Sequence, residues 1–261
     1  MKISDNKIKR NIFQASSVIR DSKCTVAFTG AGISVESGIP PFRGPDGLWT
    51  KYDPVFLDIN YFRNNPVKSW QLIKEIFFDF IGKARPNTAH YALSNLEKSG
   101  YIHSIITQNI DNLHQEAGST SVIEYHGTIK NLKCMKCLRR FPSEDISLKR
   151  LPPICPECGG LLRPDFVFFG EPIQEEAGQL SRKKAENADV MLLIGTTGEI
   201  MPASLIPYTS KNTGATIIEV NISESTYSSK ITDIFLHGKA SEILTVLAQE
   251  VEQERGSHLK Y

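Results

Sequence analysis

VAFTGAGISVESGIPPFRG, residues 26–44, joins an apolar run to a polar loop that glycines interrupt. This order is typical of a buried strand that carries a backbone loop to a phosphate group. The usual dinucleotide turn, G-x-G-x-x-G, is incomplete, because Val35 stands where the third glycine would be and Gly38 comes three residues later. The stretch predicts a strand followed by a ligand-binding loop, and an ordinary strand-to-helix turn is the alternative.

Four further apolar runs resemble buried strands, and helix-like stretches lie between several of them. The runs are SIITQN, VIEYHG, DVMLLIGTT and ATIIEVNIS, and the helical stretches are 88–98, 175–187 and 203–212. A helical period also precedes the first strand, with apolar residues at Ile8, Ile12, Ala15 and Ile19. The alternation predicts an α/β fold, a parallel sheet with helices on both faces. Ligands bind beyond the carboxyl ends of such strands, here GAGIS, TQNID, YHGT, GTTGE and NIS.

The composition excludes several classes of protein. The 261 residues are 40% hydrophobic, enough for one large domain or one domain with an inserted module. The 30 basic and 29 acidic residues leave a net charge of +1, so nothing global indicates a nucleic-acid or membrane partner. The polar start MKISDNKIKRN lacks the apolar part of a signal peptide, and no apolar run reaches the roughly 20 residues that span a bilayer. We expect a cytoplasmic protein whose cysteines are reduced.

Four of the five cysteines form two close pairs. Cys134-x2-Cys137 is followed, after 17 residues, by Cys155-x2-Cys158. This spacing predicts a four-thiolate zinc site, which leaves no open coordination position and is therefore structural. Two unrelated redox pairs are the alternative. Cys24 stands alone before the first strand and is interpreted as a small buried apolar residue.

The motifs, taken in order, resemble those of the sirtuins, NAD-dependent protein lysine deacylases. They are GAGIS with SGIPPFRG, TQNIDNLH, EYHGT, the paired C-x-x-C motifs, FGE, GTT and VNIS, and they extend from Val26 to Ala240. The resemblance implies an inverted Rossmann-type domain of 1–42, 84–130 and 164–261. It also implies a small module that combines a helical insertion, 43–83, with a zinc ribbon, 131–163. NAD and the acyl-lysine substrate would meet in the cleft between them.

The resemblance also implies which residues bind NAD. Asp111 would accept a hydrogen bond from the nicotinamide carboxamide, Phe42 would shield the reacting ribose carbon, and Arg43 would order the loop. Gln108 and Asn109 would contact the nicotinamide ribose, and Asn221 the adenosine ribose. Pro41 departs from the family pattern and is assigned no contact. Gly198 and Glu199 also depart from it, which leaves the detailed contacts of that loop open but not the cofactor. The full expected set is Gly30, Ala31, Gly32, Ile33, Ser34, Phe42, Arg43, Trp49, Gln108, Asn109, Ile110, Asp111, Gly195, Thr196, Thr197, Asn221, Ile222, Ser223 and Ala240.

His126 in EYHGT is the candidate general base. A histidine is by itself often only a packed or surface side chain, and His114 in NLHQ is the nearest rival. The resemblance selects His126, with Asn109 assisting at the ribose. It also implies that a substrate strand pairs with Val167, Phe168, Phe169, Gly170 and Glu171 through main-chain bonds. The expected products are free lysine, nicotinamide and O-acyl-ADP-ribose.

Two other functions stay open. The same pocket could transfer ADP-ribose to a protein nucleophile or water. The zinc module could also bind nucleic acid through a cluster of basic residues, Lys130, Lys133, Lys136, Arg139 and Arg140. A solvated basic face is favoured for this cluster, because the net charge of the chain is near zero.

The helical insertion bears on the choice of acyl group. Sirtuins that accept acidic acyl groups carry a Tyr and, three residues later, an Arg in this insertion. Aligning the tryptophan of that helix with Trp70 places Ile73 and Ile76 at those positions. Neither can donate a hydrogen bond to a carboxylate, so we expect a preference for neutral acyl groups. Packing of the module is the other interpretation of these apolar residues, and both can hold.

Overall fold

The computed structural model describes residues 6–44 and 47–253. Nine strands lie in these ranges: β1 Thr25–Thr29, β2 Ser104–Thr107, β3 Val122–Glu124, β4 Gly127–Cys134, β5 Arg140–Pro142, β6 Leu162–Phe166, β7 Val190–Ile194, β8 Thr216–Asn221 and β9 Ile234–His237. Six of them pair in parallel in the order β3-β2-β1-β7-β8-β9. The predicted parallel α/β sheet is confirmed. Its order reverses around β1, which is where such sheets bind ligands.

Helices cover both faces of this sheet, and others form the helical insertion. The α-helices of the described ranges are α1 Asn6–Asp21, α2 Ile59–Asn64, α3 Pro66–Ile73, α4 Thr88–Lys98, α5 Leu113–Glu116, α6 Glu175–Asn187, α7 Ile206–Asn212 and α8 Ala240–Gln253. On one face α1 and α4 both pack against α8, and on the other α6 packs against α7. No helix in the described ranges is long and apolar enough to cross a membrane.

Side-chain alternation along the buried strands divides the core into two layers. In β1, all five residues are buried. Ala27 joins the apolar cluster beneath α1, α4 and α8, whereas Val26 and Phe28 join the cluster beneath α6 and α7. Because successive residues of a strand point to opposite faces, one short apolar run contributes to both layers. This explains why the middle of the strand, Val26 to Phe28, is apolar at successive positions and does not alternate with polar residues.

A second, antiparallel sheet of order β5-β4-β6 packs against the helical insertion. The insertion consists of α2, α3 and a π-helical segment, Lys74–Phe80. Trp70 and Ile73 are fully buried in the core shared by the two parts, and Trp70 Nε1 donates to the carbonyl of Leu162 at 2.9 Å. Ile76 is buried there as well. The packing interpretation of Ile73 and Ile76 is therefore confirmed.

The small sheet extends past the range expected for the zinc ribbon. β4 begins at Gly127 and β6 ends at Phe166, whereas the expected range is 131–163. The strands are longer than the cysteine spacing suggests, because β4 and β6 continue their pairing beyond the cysteines. The division of the chain into domains, which also takes in residues outside the described ranges, stays a prediction.

Candidate active site

Two glycine loops meet backbone to backbone at the carboxyl ends of β1 and β7. Gly30 N–H donates to the carbonyl of Ile194 at 2.9 Å, and Gly32 N–H donates to that of Gly195 at 2.8 Å. A Cβ on Gly32 would lie 2.6 Å from Gly195 Cα, and Gly195 itself has φ +59°. These glycines are needed for the contact between the loops. Since the N–H groups of Gly30 and Gly32 already donate hydrogen bonds within the protein, a phosphate held here would bind other N–H groups.

The loop after Gly30 forms a short 3₁₀ helix, Ala31–Ser37, which ends at Gly38 with φ +88°. A left-handed residue at a helix end favours glycine. The late glycine of the opening motif therefore terminates this helix, while Val35, in the place of the missing glycine, is largely exposed. Ile33 and Ser34 point inward and are buried.

Ser34, Asn109 and Asp111 form one buried hydrogen-bonded group. Ser34 Oγ donates to Asp111 Oδ2 at 2.7 Å, and Asn109 Nδ2 donates to Ser34 Oγ at 3.1 Å. Asn109 and Asp111 therefore meet at the Ser34 hydroxyl, although both lie beyond the end of β2 at Thr107, where strand alternation no longer applies. Burial raises the pKa of the Asp111 carboxyl, and the bonds from Leu113 N–H and the Ser34 hydroxyl oppose that shift. The group offers amide and carboxylate atoms suited to a carboxamide partner.

Two histidines that the sequence did not place in the site lie next to this group. His90 Nε2 is 3.5 Å from Ser34 Oγ, and His114 Nε2 is 2.9 Å from Thr29 Oγ1. Asn87 N–H is 3.3 Å from His90 Nδ1 in the capping box that starts α4, so the other ring nitrogen carries the proton toward Ser34. Burial lowers the pKa of His90 to about 4 and that of His114 well below its usual value. Both rings are therefore neutral at neutral pH.

His126 lies at the start of β4 with a half-buried side chain. Its Nδ1 is 3.0 Å from the carbonyl of Gln108. Because a carbonyl only accepts hydrogen bonds, Nδ1 must carry the proton, and Nε2 keeps its lone pair. Burial lowers the pKa of His126, and the Gln108 bond partly offsets that shift. His126 is thus neutral at neutral pH with a basic nitrogen available, unlike the fully enclosed His114.

Gln108, Thr196 and Asn221 link three strand ends. Gln108 Nε2 donates to Thr196 Oγ1 at 3.1 Å, and Asn221 Nδ2 donates to the Thr196 carbonyl at 3.0 Å. The exposed Ile222 and Ser223 follow Asn221. Ala240, in contrast, is buried at the start of α8, where it packs in the core.

Gly198, a departure from the family pattern, has a local physical cause. Its φ is +74°, and an added Cβ would lie 2.2 Å from Thr226 Oγ1 and 2.6 Å from the ring of Tyr227. Thr226 Oγ1 in turn donates to the carbonyl of Gly198 at 3.0 Å. Glycine is thus required where this turn crosses Tyr227, whereas the exposed Glu199 makes only a 3.3 Å contact with Thr197 Oγ1.

An aromatic wall faces the loop. The ring centroids of Phe42 and Trp49 lie 5.3 Å apart, and those of Trp49 and Phe169 lie 6.4 Å apart. Arg43 is exposed beside Phe42. A small cavity opens at this wall, lined by Ala31, Ser34, Ile39, Phe42, Ile81, Asn109, Ile110 and Asp111.

The segment 167–171 follows β6 and bonds both to His126, just before β4, and to the helical insertion. Phe169 N–H donates to the Leu57 carbonyl at 2.8 Å, and its own carbonyl accepts from Ile59 N–H at 3.1 Å. Phe168 is buried, whereas Phe169 and Gly170 are exposed. The segment is not itself a strand, and part of its backbone is already bonded within the protein.

Asn112 stands at the N-cap position of α5 with φ 63°, but its side chain makes no capping bond. Asn112 Nδ2 instead donates to Glu124 Oε1 at 2.6 Å, and its Oδ1 accepts from Thr128. The bond to the first helical N–H comes from Asp111 Oδ1, 3.0 Å from Leu113 N.

The four paired cysteines converge, as predicted. The sulfurs of Cys134, Cys137, Cys155 and Cys158 all lie within 4.8 Å of one another, at the base of the small sheet. Four thiols at this spacing suit a structural metal ion. Cys24 lies outside the cluster and is half-buried before β1, where burial raises the pKa of its thiol.

The basic cluster of the small module is mostly paired with acids. Lys130 Nζ lies 2.9 Å from Glu116, and Arg140 Nε lies 2.5 Å from Asp165. Arg139 pairs with Glu157. These pairs reduce the positive charge that the cluster offers to a polyanion, in line with a solvated face.

Comparison with known proteins gives a consistent result. The model of the Sir2 family matches residues 30–202. An NAD-dependent protein deacylase of Pyrococcus abyssi is 46% identical over 248 residues, which cover 93% of this chain and 98% of the relative. A mutant of a Sir2 homologue solved with ADP-ribose superposes with a TM-score of 0.88 at 38% identity, covering 93% of this chain and 97% of that one. A Sir2 protein solved with a p53 peptide and NAD+ has a TM-score of 0.82 at 35% identity, covering 94% of this chain and 98% of that one.

Proposed function

The chain belongs to the Sir2 family, and on that premise we propose that this NAD-dependent protein deacylase uses His126 as its general base. The observation that supports this role is the hydrogen bond from His126 Nδ1 to the Gln108 carbonyl. This bond places the proton on Nδ1 and leaves the lone pair of Nε2 free. A neutral imidazole with a free nitrogen can remove a proton from a ribose hydroxyl. Acyl-lysine proteins are the substrates of the reaction.

NAD supplies the acceptor, since its ADP-ribose takes the acyl group when nicotinamide leaves. We assign the nicotinamide end to the group formed by Ser34, Asn109 and Asp111, whose amide and carboxylate match a carboxamide. Thr196 and Asn221, at the carboxyl ends of β7 and β8, would hold the ribose and phosphates. Phe42 and Trp49 would exclude water from the reacting carbon. The other expected contacts, including Arg43, Ile222, Ser223 and Ala240, stay predictions.

We propose zinc as the ion of the four-cysteine site. The four thiolates match the preferred donor set of structural zinc, and they leave no position for substrate. The ion would stabilise the small sheet and take no part in the chemistry. Thiols kept as ligands also require a reducing compartment, which supports a cytoplasmic location.

The pH profile of deacylation tests the role of His126. Burial lowers its pKa below the usual 6.5, and only the neutral ring acts as a base. We therefore expect kcat/KM to be level near neutral pH and to fall, as the pH drops, with a midpoint below 6.5. The measurement is kcat/KM for an acetyl-lysine peptide between about pH 5 and 8. A midpoint above 6.5 would contradict the assignment. His126→Ala serves as the control, because its residual kcat/KM should no longer fall in this way as the pH drops.

We also expect the enzyme to remove acetyl groups and not succinyl groups. Trp70, Ile73 and Ile76 form buried apolar core, with no donor for a carboxylate at the two aligned positions. Burying an unpaired carboxylate costs several kcal/mol, which corresponds to a rate loss of about a thousandfold. One peptide carrying either acetyl- or succinyl-lysine is tested in competition. Equal turnover would show that the alignment at Trp70 is wrong.

A further inference from the structure

Arg163 and Glu171 form an ion pair between the small sheet and the segment 167–171. Arg163 belongs to β6, and Glu171 ends the segment. Arg163 Nη1 and Glu171 Oε1 lie 2.5 Å apart, and the two side chains are only 13% and 21% exposed. A pair this enclosed is little screened by solvent, so its geometry holds the local chain more firmly than a surface pair would.

Both partners also bond to the backbone of the segment. Glu171 Oε2 accepts from Phe168 N–H at 3.0 Å, and Glu171 N–H donates to the Phe168 carbonyl at 3.1 Å. Arg163 donates to the carbonyl of Phe166, and its guanidinium lies 4.4 Å from the centre of the Phe168 ring. We call these two residues the Arg163–Glu171 clamp. Charge-assisted bonds of this kind are about twice as strong as neutral ones, so the clamp fixes the turn.

The clamp determines which backbone groups remain for a substrate. Phe168 is bonded to Glu171, and Phe169 is bonded to Leu57 and Ile59. Within the described chain, the N–H and C=O of the exposed Gly170 have no hydrogen-bond partner, and neither does the C=O of Val167. A peptide that pairs here by main-chain bonds would therefore use Gly170 and the Val167 carbonyl, which the clamp holds in place.

The clamp also connects three parts of the protein. Val167 N–H donates to the carbonyl of His126 at 2.8 Å, so the segment is bonded to the proposed base. In β6, Arg163 pairs with Lys133, and its neighbour Leu162 pairs with Cys134 of the thiol cluster. Arg163, which shapes the segment, is thus the next residue after Leu162, which pairs with a cysteine of the thiol cluster.

We propose that Arg163 and Glu171 are positioning residues for the acyl-lysine peptide, which hold the 166–171 backbone in its binding shape and tie that shape to the cysteine-bearing sheet. Glu171 then acts through Arg163 and Phe168, and it does not contact the peptide. This inference rests on the proposed role of the segment in peptide binding. It replaces the expectation that Glu171 itself binds substrate.

The test is Glu171→Gln, which keeps the size of the side chain and removes its charge. We expect the KM for an acetyl peptide to rise about tenfold, while kcat and the KM for NAD stay within about twofold. The rise in peptide KM should be the same for peptides with acidic, neutral or basic flanking residues. A direct contact between Glu171 and the peptide would instead confine the rise to peptides with basic flanking residues. The double variant with Arg163→Gln should lose no more than the worse single variant, because the two act as a unit.

Amide hydrogen exchange of residues 166–171 gives a readout that does not need turnover. Glu171→Gln should exchange faster in this segment, and Glu176→Gln, an exposed charge removed from α6, should match the parent in exchange and KM. Three results would overturn the clamp. The first is that Glu171→Gln changes neither the exchange nor the peptide KM. The others are KM effects of the two single variants that add in the double variant, and a KM effect confined to basic peptides. If Glu171→Gln does not fold, Glu171→Asp is tested in the same way. A parent that fails to deacylate any peptide would refute the function, while the exchange data would still decide the clamp.

Discussion

Replacing His126 with alanine is expected to lower kcat for deacylation by about two orders of magnitude or more, the usual value of a general base. The protein should still fold and bind NAD, because the half-buried ring makes one hydrogen bond, to the Gln108 carbonyl. Steady-state kinetics with an acetyl peptide measures the rate, and calorimetric titration measures NAD binding. Loss of the base alone should leave the Kd for NAD within about threefold of the parent.

The matched control is His103→Ala. His103 is exposed and lies just before β2, at the opposite end of the strand from the site. This variant should deacylate at the parent rate. If His126→Ala also does so, the base lies elsewhere, and the enclosed His114 becomes the next residue to test.

Replacing Cys155 with alanine should abolish metal binding and unfold the small module. Cys155 is buried, and its sulfur lies with the other three in one cluster. Structural zinc contributes on the order of 10 kcal/mol to the folding of isolated zinc modules, so a fall in Tm of about 10 °C or more is expected in a domain of this size. Deacylation should fall as well, because β6 carries the segment beside the cleft. Metal analysis and thermal unfolding are the measurements.

Cys24→Ala is the control for this experiment, since Cys24 is half-buried outside the cluster. It should keep one zinc per chain and a Tm within a few degrees of the parent. Full metal content and unchanged stability in Cys155→Ala would remove Cys155 from the ligand set.

The large sheet could be predicted because its signals are local. β1 is buried at every position and has an apolar centre, and α4 spans the predicted residues 88–98 behind a capping Asn87. β9, in contrast, was not predicted, because only two of its four residues are buried and its position depends on pairing with β8. The π-helical segment after Ile73 also has no local sign beyond its apolar residues.

In the site, spacing predicted neighbours in sequence but not contacts between distant loops. Asn109 and Asp111 are two residues apart, directly after β2, and both bond to Ser34. The bond of Ser34 to Asp111 and the close approach of Gly32 to Gly195 join segments far apart in the chain. No local pattern encodes such contacts, since they depend on the order of the strands.

The product mixture tests the central claim most directly. Purified protein is incubated with NAD and an acetyl-lysine peptide, and every product is identified and quantified by mass spectrometry. We predict deacetylated peptide, nicotinamide and O-acetyl-ADP-ribose in equal amounts, with no nicotinamide release when the peptide lacks its acetyl group. Nicotinamide release without an acyl peptide, with ADP-ribose free or attached to protein, would contradict deacylation and indicate ADP-ribosyl transfer to water or to a protein nucleophile.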